Sequence, residues 1–192
     1  MDYQIKRVED DEISKVAVFL IEQFKEEFSK LAVEKEILVE LFSQAMRTEQ
    51  CFIATTYKKV IGLITYSTAD HASFEISMRE LKNMMGWKSL RFHCDVMKGR
   101  RILSEDQIYL NTLAVHSQYR RQGVATTLLN FLMNEIEARE YLLEVLCTNF
   151  EALHLYQRFG FQMTITKKQE LLSKLRLTKR ISMKYVTGEI LQ

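Results

Sequence analysis

Residues 107–126 combine an apolar segment, two arginines and a glycine in an order that could bind a phosphate. Residues 108–115 are apolar enough for a buried strand, and a helix with a continuous apolar stripe follows Gly123. The first N–H groups of a helix lack partners within it, and the helix dipole adds partial positive charge there. Arg120 and Arg121 precede this helix, and Gly123 would let an anion approach the backbone. The segment predicts an anion site that is neither a Walker loop nor a dinucleotide fingerprint, because GxxxxGK(S/T) and GxGxxG are both missing.

A second group of candidate residues, Asn149, Ala152 and Tyr156, lies at helical spacing. Positions i, i+3 and i+7 share one helix face, which here offers an amide, a gap and a phenol in line. Such a face suits a narrow polar chain with amide groups, because an asparagine side chain can both donate and accept hydrogen bonds. A tyrosine hydroxyl on this face could give a proton to a leaving group. The simpler interpretation remains open: Asn149 is only a helix cap, and Tyr156 only packs.

Glu144 is a candidate general base. Leu142, Glu144 and Leu146 alternate along a predicted strand, so one carboxylate lies between two apolar neighbours on the same face. Poor solvation there would make the carboxylate a better proton acceptor near neutrality. The alternatives are a surface glutamate at a sheet edge, or one paired with an arginine. Water, Tyr109 or a group elsewhere could then take the proton.

Composition places the chain in an ordinary class of globular proteins. Its 192 residues are 47 % hydrophobic and 27 % charged, with a net charge of +2, which favours neither a nucleic acid nor another polyanion as partner. Three widely spaced cysteines indicate a reduced compartment, and the charged N-terminus differs from a signal peptide. No apolar run approaches membrane-spanning length, so we expect a cytoplasmic protein without membrane contact. The four histidines lack ligand spacing, and no metal site is expected.

The periodicity predicts one α/β domain over residues 1–192 with a mixed sheet. The predicted strands are 3–8, 51–57, 60–68, 108–115, 141–147, 161–166 and 181–186. The predicted helices are a long one capped by Asp10 or Asp11 and reaching residue 31, then 33–48, the helix after Gly123, 149–160 and 168–177. Residues 70–106 are too long for a structureless loop and predict a helical insert before the central strand. The insert is either packed core or a lid over the substrate.

Two motifs resemble the signatures of the GNAT N-acetyltransferases. The first is Arg120-x-x-Gly123-x-Ala125 after a strand. The second runs Leu-Glu-Val at 143–145, Asn149-x-x-Ala152, Tyr156 and Gly-Phe at 160–161. This resemblance implies the GNAT fold, a central mixed and mostly antiparallel sheet flanked by helices. It also implies that acetyl-CoA is the cosubstrate and that the acetyl group passes directly to a primary amine of a small molecule or peptide. By family habit a homodimer is plausible.

The resemblance also implies the roles of individual residues. Backbone groups of the strand end would bind the pantetheine arm beside a bulge that separates this strand from the next, and the glycine turn would wrap the pyrophosphate. The predicted cofactor-binding residues are Leu113, Ala114, Val115, Arg120, Arg121, Gln122, Gly123, Val124, Ala125, Thr126, Asn149 and Tyr156. In the subgroup that acetylates protein N-termini, the glutamate of the Leu-Glu-Val motif pairs with the tyrosine, so Glu144 and Tyr156 are the predicted catalytic residues.

The predicted substrate-binding residues are Tyr109, Asn111, Met85 and Trp87. Many GNAT members carry a carboxylate as base near the positions of Tyr109 and Asn111, and this chain has none there. Asparagine cannot take a proton at neutral pH. An alternative reading is therefore an acyl-CoA-binding sensor or interaction module without catalysis.

Overall fold

Strands β1 to β7 form a single sheet in the computed structural model, which describes residues 2–57, 59–92, 102–164 and 180–188. The strands are β1 (Gln4–Arg7), β2 (Cys51–Thr56), β3 (Lys59–Ser67), β4 (Gln107–Val115), β5 (Glu140–Leu146), β6 (Gln162–Thr164) and β7 (Arg180–Val186). The helices are α1 (Ile13–Gln23), α2 (Lys25–Ser29), α3 (Lys35–Ala45), α4 (Met78–Met85), α5 (Lys88–Phe92), α6 (Val124–Glu135) and α7 (Phe150–Phe159).

The sheet order is β1-β2-β3-β4-β5-β7-β6, and of these neighbours only β4 and β5 run parallel. The predicted mixed, mostly antiparallel sheet flanked by helices is therefore confirmed. The predicted hairpin of β2 and β3 is present as well. The predicted helix 168–177 and the end of the strand 161–166 lie outside the described residues.

The first predicted helix is wrong as a single element. It ends at Gln23, and α2 begins at Lys25, because Phe24 leaves helical geometry with φ −112° and ψ 29°. The apolar stripe continues across this break, since the rings of Phe24 and Phe28 meet edge to face at 6.5 Å. The expected caps, Asp10 and Asp11, lie inside a short 3-10 turn that precedes α1.

The predicted helical insert before the central strand is confirmed by α4 and α5. Ser77 caps α4, because its side chain accepts a hydrogen bond from the N–H of Glu80 while the Glu80 carboxylate accepts from the N–H of Ser77. Residues 93–101 of the insert lie outside the described part.

Two apolar clusters lie on opposite faces of the sheet, as the strand alternation requires. Ile53 belongs to the cluster under α1, α3 and α4, and its neighbour Phe52 belongs to the cluster under α6 and α7. Gly62 lets α6 approach β3, because a Cβ there would lie 2.8 Å from the Leu128 side chain. This close packing fixes where α6 begins relative to the end of β4.

Among the described residues, no helix is long and apolar enough to cross a membrane. Cys51 and Cys147 are free thiols, the first buried and the second exposed.

Candidate functional site

The parallel strands β4 and β5 separate halfway along their length. Their pairing ends at Leu110 and Leu143, and beyond that point β4 pairs only with β3 while β5 pairs only with β7. A bulge marks the separation: Thr65 faces Thr112 and Tyr66 faces Leu110, so Asn111 has no opposite residue on β3. The open backbone edges of both strands leave a gap that suits a narrow chain with amide groups.

Backbone N–H groups at the start of α6 lie where β4 leads out of this gap. Gly123 has φ +84° and precedes α6, and the first helical hydrogen bond joins the Thr127 N–H to the Gly123 carbonyl at 2.9 Å. The N–H groups of Val124, Ala125 and Thr126 therefore precede the helical ladder. A Cβ at Gly123 would meet no atom within 4 Å, so this position is open to a ligand. The geometry fits the predicted anion site.

The two arginines before this helix have different surroundings. The Arg120 Nε donates to the Val115 carbonyl at 3.1 Å, which holds its guanidinium over the end of β4. Arg121 has φ +62°, an uncommon conformation for a residue with a side chain, and its Nη1 lies 3.3 Å from the Glu151 carboxylate. Gln122 donates to the Gln118 carbonyl at 2.9 Å. Of the predicted phosphate ligands, Arg121 is thus the one that reaches across to α7.

Helix α7 brings Asn149 and Tyr156 to the other side of the gap. The Asn149 side-chain oxygen accepts a hydrogen bond from the Ala152 N–H at 3.1 Å, so this residue is a helix cap. Tyr156 is buried, with its ring 5.5 Å from that of Phe161. Burial raises the pKa of the Tyr156 phenol, and the neighbouring Tyr109 raises it further. The phenol therefore keeps its proton at neutral pH.

Glu144 lies on the half-buried face of β5. Tyr141, Leu143 and Val145 are buried on one face, while Glu144 and its neighbours two residues away are half-buried on the other. Its opposite residue on β7 is Ser182. Because Tyr109 pairs with Leu142 across β4 and β5, Tyr109 and Glu144 lie on the same face of the sheet.

Asn111, the bulge residue, also points to this face. Its side-chain oxygen accepts a hydrogen bond from the Ser67 hydroxyl at 2.6 Å, and Ser67 is the residue opposite Tyr109. Ser67 Oγ in turn accepts from the Ser73 N–H at 3.1 Å. Asn111 is exposed although it lies on a central strand. The face of the sheet is therefore open beside the point where β4 and β5 separate.

A polar group on the same face was missed by the sequence reasoning. The Gln107 amide donates to Glu140 at 2.7 Å, and Lys184 forms an ion pair with Glu140 at 3.0 Å. These hydrogen bonds lower the pKa of the Glu140 carboxyl. The pairing depends on the register between three strands, so no local pattern could indicate it.

The two predicted substrate residues of the insert differ in environment. Met85 is buried with the cluster under α1, α3 and α4, whereas the Trp87 side chain is 85 % exposed. Contact of either residue with an amine stays a prediction. A shallow recess of about 670 Å³ lies at the β1 edge, lined by residues such as Tyr3, Lys6 and Lys15. None of the predicted site residues lines it. Tyr109, Asn111 and Glu144 share one face of the sheet beside the strand gap, and Tyr156 packs with the apolar cluster on the other face.

Comparisons with known proteins agree on one family. The family model described as "Acetyltransferase (GNAT) family" matches residues 16–161. The chain is 35 % identical over 69 residues to "N-alpha-acetyltransferase 50" of Danio rerio, covering 34 % of this chain and 41 % of that protein. The chain thus spans less than half the length of this curated relative.

Solved structures share the fold at low identity. An N-acetyltransferase from Staphylococcus aureus Mu50 has a TM-score of 0.66 and 15 % identity, covering 95 % of this chain and 100 % of that one. The paia N-acetyltransferase from Thermoplasma acidophilum, solved in complex with coenzyme A, has a TM-score of 0.58 and 13 % identity, covering 97 % of this chain and 99 % of that one.

Proposed function

The chain belongs to the acetyltransferase (GNAT) family, and on this basis we propose that it transfers an acetyl group from acetyl-CoA directly to a primary amine of a small molecule or peptide. The observation that carries the proposal is the gap between β4 and β5, with the start of α6 at the end of β4. Two open strand edges suit the amides of a pantetheine arm, and the N–H groups of the helix start suit a pyrophosphate.

The proposed reaction has one chemical step on the enzyme. The neutral amine nitrogen attacks the thioester carbonyl carbon, the carbon–sulfur bond breaks, and the Tyr156 hydroxyl gives its proton to the departing thiolate. The new amide nitrogen loses a proton to Glu144, directly or through water. The phenol is protonated when the thiolate forms, and its raised pKa makes Tyr156 a weaker acid than an exposed tyrosine, so the proposed role rests on the family motif that contains Tyr156.

Direct transfer is proposed because, among the described residues, neither Cys51 nor Cys147 is hydrogen-bonded to a base that could activate its thiol. Burial raises the pKa of the Cys51 thiol to about 12, so that thiol is neutral and inaccessible. Cys147 is exposed and follows directly after β5. An acetyl-cysteine intermediate is therefore absent from the proposal.

The proposed acceptor is a primary amine of either a small molecule or a peptide. Similarity to a protein named as an N-alpha-acetyltransferase supports a peptide N-terminus, but this similarity covers about a third of the chain. An amine site on the open sheet face formed by β4 and β5 would accept a small molecule equally well. A screen of small amines and short peptides distinguishes these classes.

A binding module without catalysis is the second candidate, and one observation favours it. Asn111 occupies the central strand where many relatives have a carboxylate, and its side-chain oxygen already accepts a hydrogen bond from Ser67. Such a protein would hold acetyl-CoA in the same gap and release no product.

The test incubates the protein with acetyl-CoA and a panel of alkylamines, diamines, amino amides and short peptides. Acetylated product should be measured by mass spectrometry, because exposed Cys147 would react with thiol reagents used to follow CoA release. Product from any amine supports the enzyme. Tight acetyl-CoA binding without product from any member of the panel would support the binding module.

A further inference from the structure

A chain of two hydrogen bonds fixes the orientation of the Asn111 amide. The Ser73 backbone N–H can only donate, so Ser67 Oγ accepts at this end and its own proton is available for Asn111. The distance of 2.6 Å from Ser67 Oγ to Asn111 Oδ1 is typical of an O–H···O bond and short for an N–H···O bond. Asn111 therefore turns its oxygen toward the buried serines and presents its NH₂ group outward.

Among the described residues, none accepts a hydrogen bond from the Asn111 NH₂ group, and the side chain is exposed. Side chains of a strand stand roughly perpendicular to the sheet, whereas the backbone edges of β4 and β5 line the gap in its plane. A cofactor arm in the gap would pair with backbone groups. The Asn111 amide lies instead above that plane, on the same face as Glu144, where an incoming amine would approach.

The distance along β4 from its end to the bulge would place the reacting atoms beside Asn111. Val115 lies four positions after Asn111, which corresponds to about 13 Å of extended strand. An extended pantetheine arm has a comparable length. With its pyrophosphate at the start of α6, the thioester would reach the bulge. This step rests on the proposed function.

We propose that Asn111 is a specificity-determining residue. It selects amines in which the carbon adjacent to the amino-bearing carbon carries an oxygen that can accept a hydrogen bond. Its NH₂ group is a donor only, and its own oxygen is occupied by Ser67. A carbonyl or hydroxyl oxygen of the substrate can accept from it. The second ammonium group of a diamine cannot, because two donors face each other. Ser67 is the positioning residue that holds the amide in this orientation.

The experiment compares kcat/KM for four amines of similar size: propylamine, ethanolamine, glycinamide and ethylenediamine. Each amine is compared between parent and variant, which cancels differences in intrinsic nucleophilicity. Asn111→Leu should lower kcat/KM about five- to tenfold for glycinamide and ethanolamine and change propylamine little, because one hydrogen bond is lost. Asn111→Asp should improve ethylenediamine relative to glycinamide. A larger loss for glycinamide identifies a carbonyl as the favoured oxygen, and a larger loss for ethanolamine identifies a hydroxyl.

Two further variants test whether Ser67 positions the Asn111 amide or only supports the fold. Ser67→Ala should lower the ratio of glycinamide to propylamine kcat/KM toward that of Asn111→Leu, and Ser67→Thr, which keeps the hydroxyl, should restore it. A merely structural role of Ser67 would lower the rates with all amines together. Asn130→Leu makes the same change at an exposed position of α6 and serves as the control, with all four rates expected to match the parent.

Equal losses for all four amines in Asn111→Leu would overturn this inference while leaving acetyl transfer intact. That result would place the amide against the thioester instead of the substrate. Failure of the parent to acetylate any amine, with acetyl-CoA bound, would overturn the proposed function and this inference together.

Discussion

Arg121 and Glu151 connect the two sides of the strand gap, with Nη1 of Arg121 3.3 Å from Oε1 of Glu151. The arginine belongs to the turn before α6 and the glutamate to the first turn of α7. Their side chains are 83 % and 68 % exposed, so the pair contributes little to folding. A phosphate at the start of α6 would have to compete with Glu151 for the guanidinium.

Glu151→Gln should therefore strengthen acetyl-CoA binding. We expect the Kd to fall about two- to fivefold at low ionic strength, with a smaller effect at high salt because exposed charges are screened. Calorimetry at two salt concentrations measures this change. Glu36→Gln removes an acidic residue from the first turn of α3, an exposed position outside the site, and controls for effects on a helix start. Weaker binding by Glu151→Gln would show that the ion pair organises the turn.

Gly123→Glu should abolish measurable acetyl-CoA binding, because it puts both bulk and negative charge where the phosphate is proposed to lie. Gly188→Glu is the matched control: its φ is +87° against +84° at Gly123, and a Cβ at either position meets no atom within 4 Å. Both variants therefore introduce the same charge and similar backbone strain. Equal acetyl-CoA affinity of the two in calorimetry would place the phosphate elsewhere.

Tyr156→Phe should lower kcat by on the order of a hundredfold, while acetyl-CoA binding changes little. The variant keeps the ring contact with Phe161 and removes only the hydroxyl group, and with it the proton. Tyr141→Phe is a buried control, since the Tyr141 hydroxyl donates to the Ile136 carbonyl at 2.6 Å, and its loss should lower stability and spare kcat. Single-turnover kinetics keeps product release from masking the effect. An unchanged chemical rate would make Tyr156 a packing residue.

Glu144→Gln should lower kcat/KM and remove the acidic limb of its pH profile, because glutamine cannot take a proton. Parent and variant are compared over the same pH range with one amine, after its own ionisation is subtracted. Glu135→Gln, an exposed change at the end of α6, controls for the altered net charge. A variant that keeps the rate and the acidic limb of the parent would exclude Glu144 and leave water or Tyr109 as the base.

Glu140→Gln should change how stability depends on pH. Hydrogen bonds from Gln107 and Lys184 lower the folded-state pKa of Glu140, so its contribution is present above the unfolded value near 4.5 and is lost as pH falls through the folded value. At neutral pH the variant should be less stable by no more than about 1 kcal/mol, because the pair is partly exposed. This difference should shrink in acid, as measured by urea unfolding at both pH values. A constant difference would assign the effect to packing.

Local patterns predicted most elements of this fold. The strand alternation around Val145, the glycine that ends α7 at residue 160 and the helix start at Gly123 each depend on a few neighbouring residues. The break at Phe24 was missed because the apolar stripe runs through it without interruption. Phe24 and Phe28 stay in contact on both sides of the break, so hydrophobic periodicity carries no sign of it.

The site was predictable only where its residues are close in sequence. Asn111 reads as an ordinary strand residue, and its bulge arises from the register between Thr65 and Thr112, which are 47 positions apart. The hydrogen bond from Ser67 depends on the same register. Glu140 likewise meets Lys184 only because β5 and β7 pair. Such contacts follow from tertiary structure, and a single sequence does not encode them in any local spacing.

The short β4–β5 pairing divides the sheet into a four-stranded and a three-stranded part. Four residue pairs, from Gln107–Glu140 to Leu110–Leu143, are the hydrogen-bonded link between the parts in the described sheet. This link should be an early place for sub-global opening, and its amide protons should exchange with solvent faster than those between β2 and β3. A cofactor arm in the gap would act as an added strand that joins both parts. Bound acetyl-CoA should therefore slow amide proton exchange along β5 and β7 as well as at its own contacts. The cosubstrate would then hold the two parts of the sheet together.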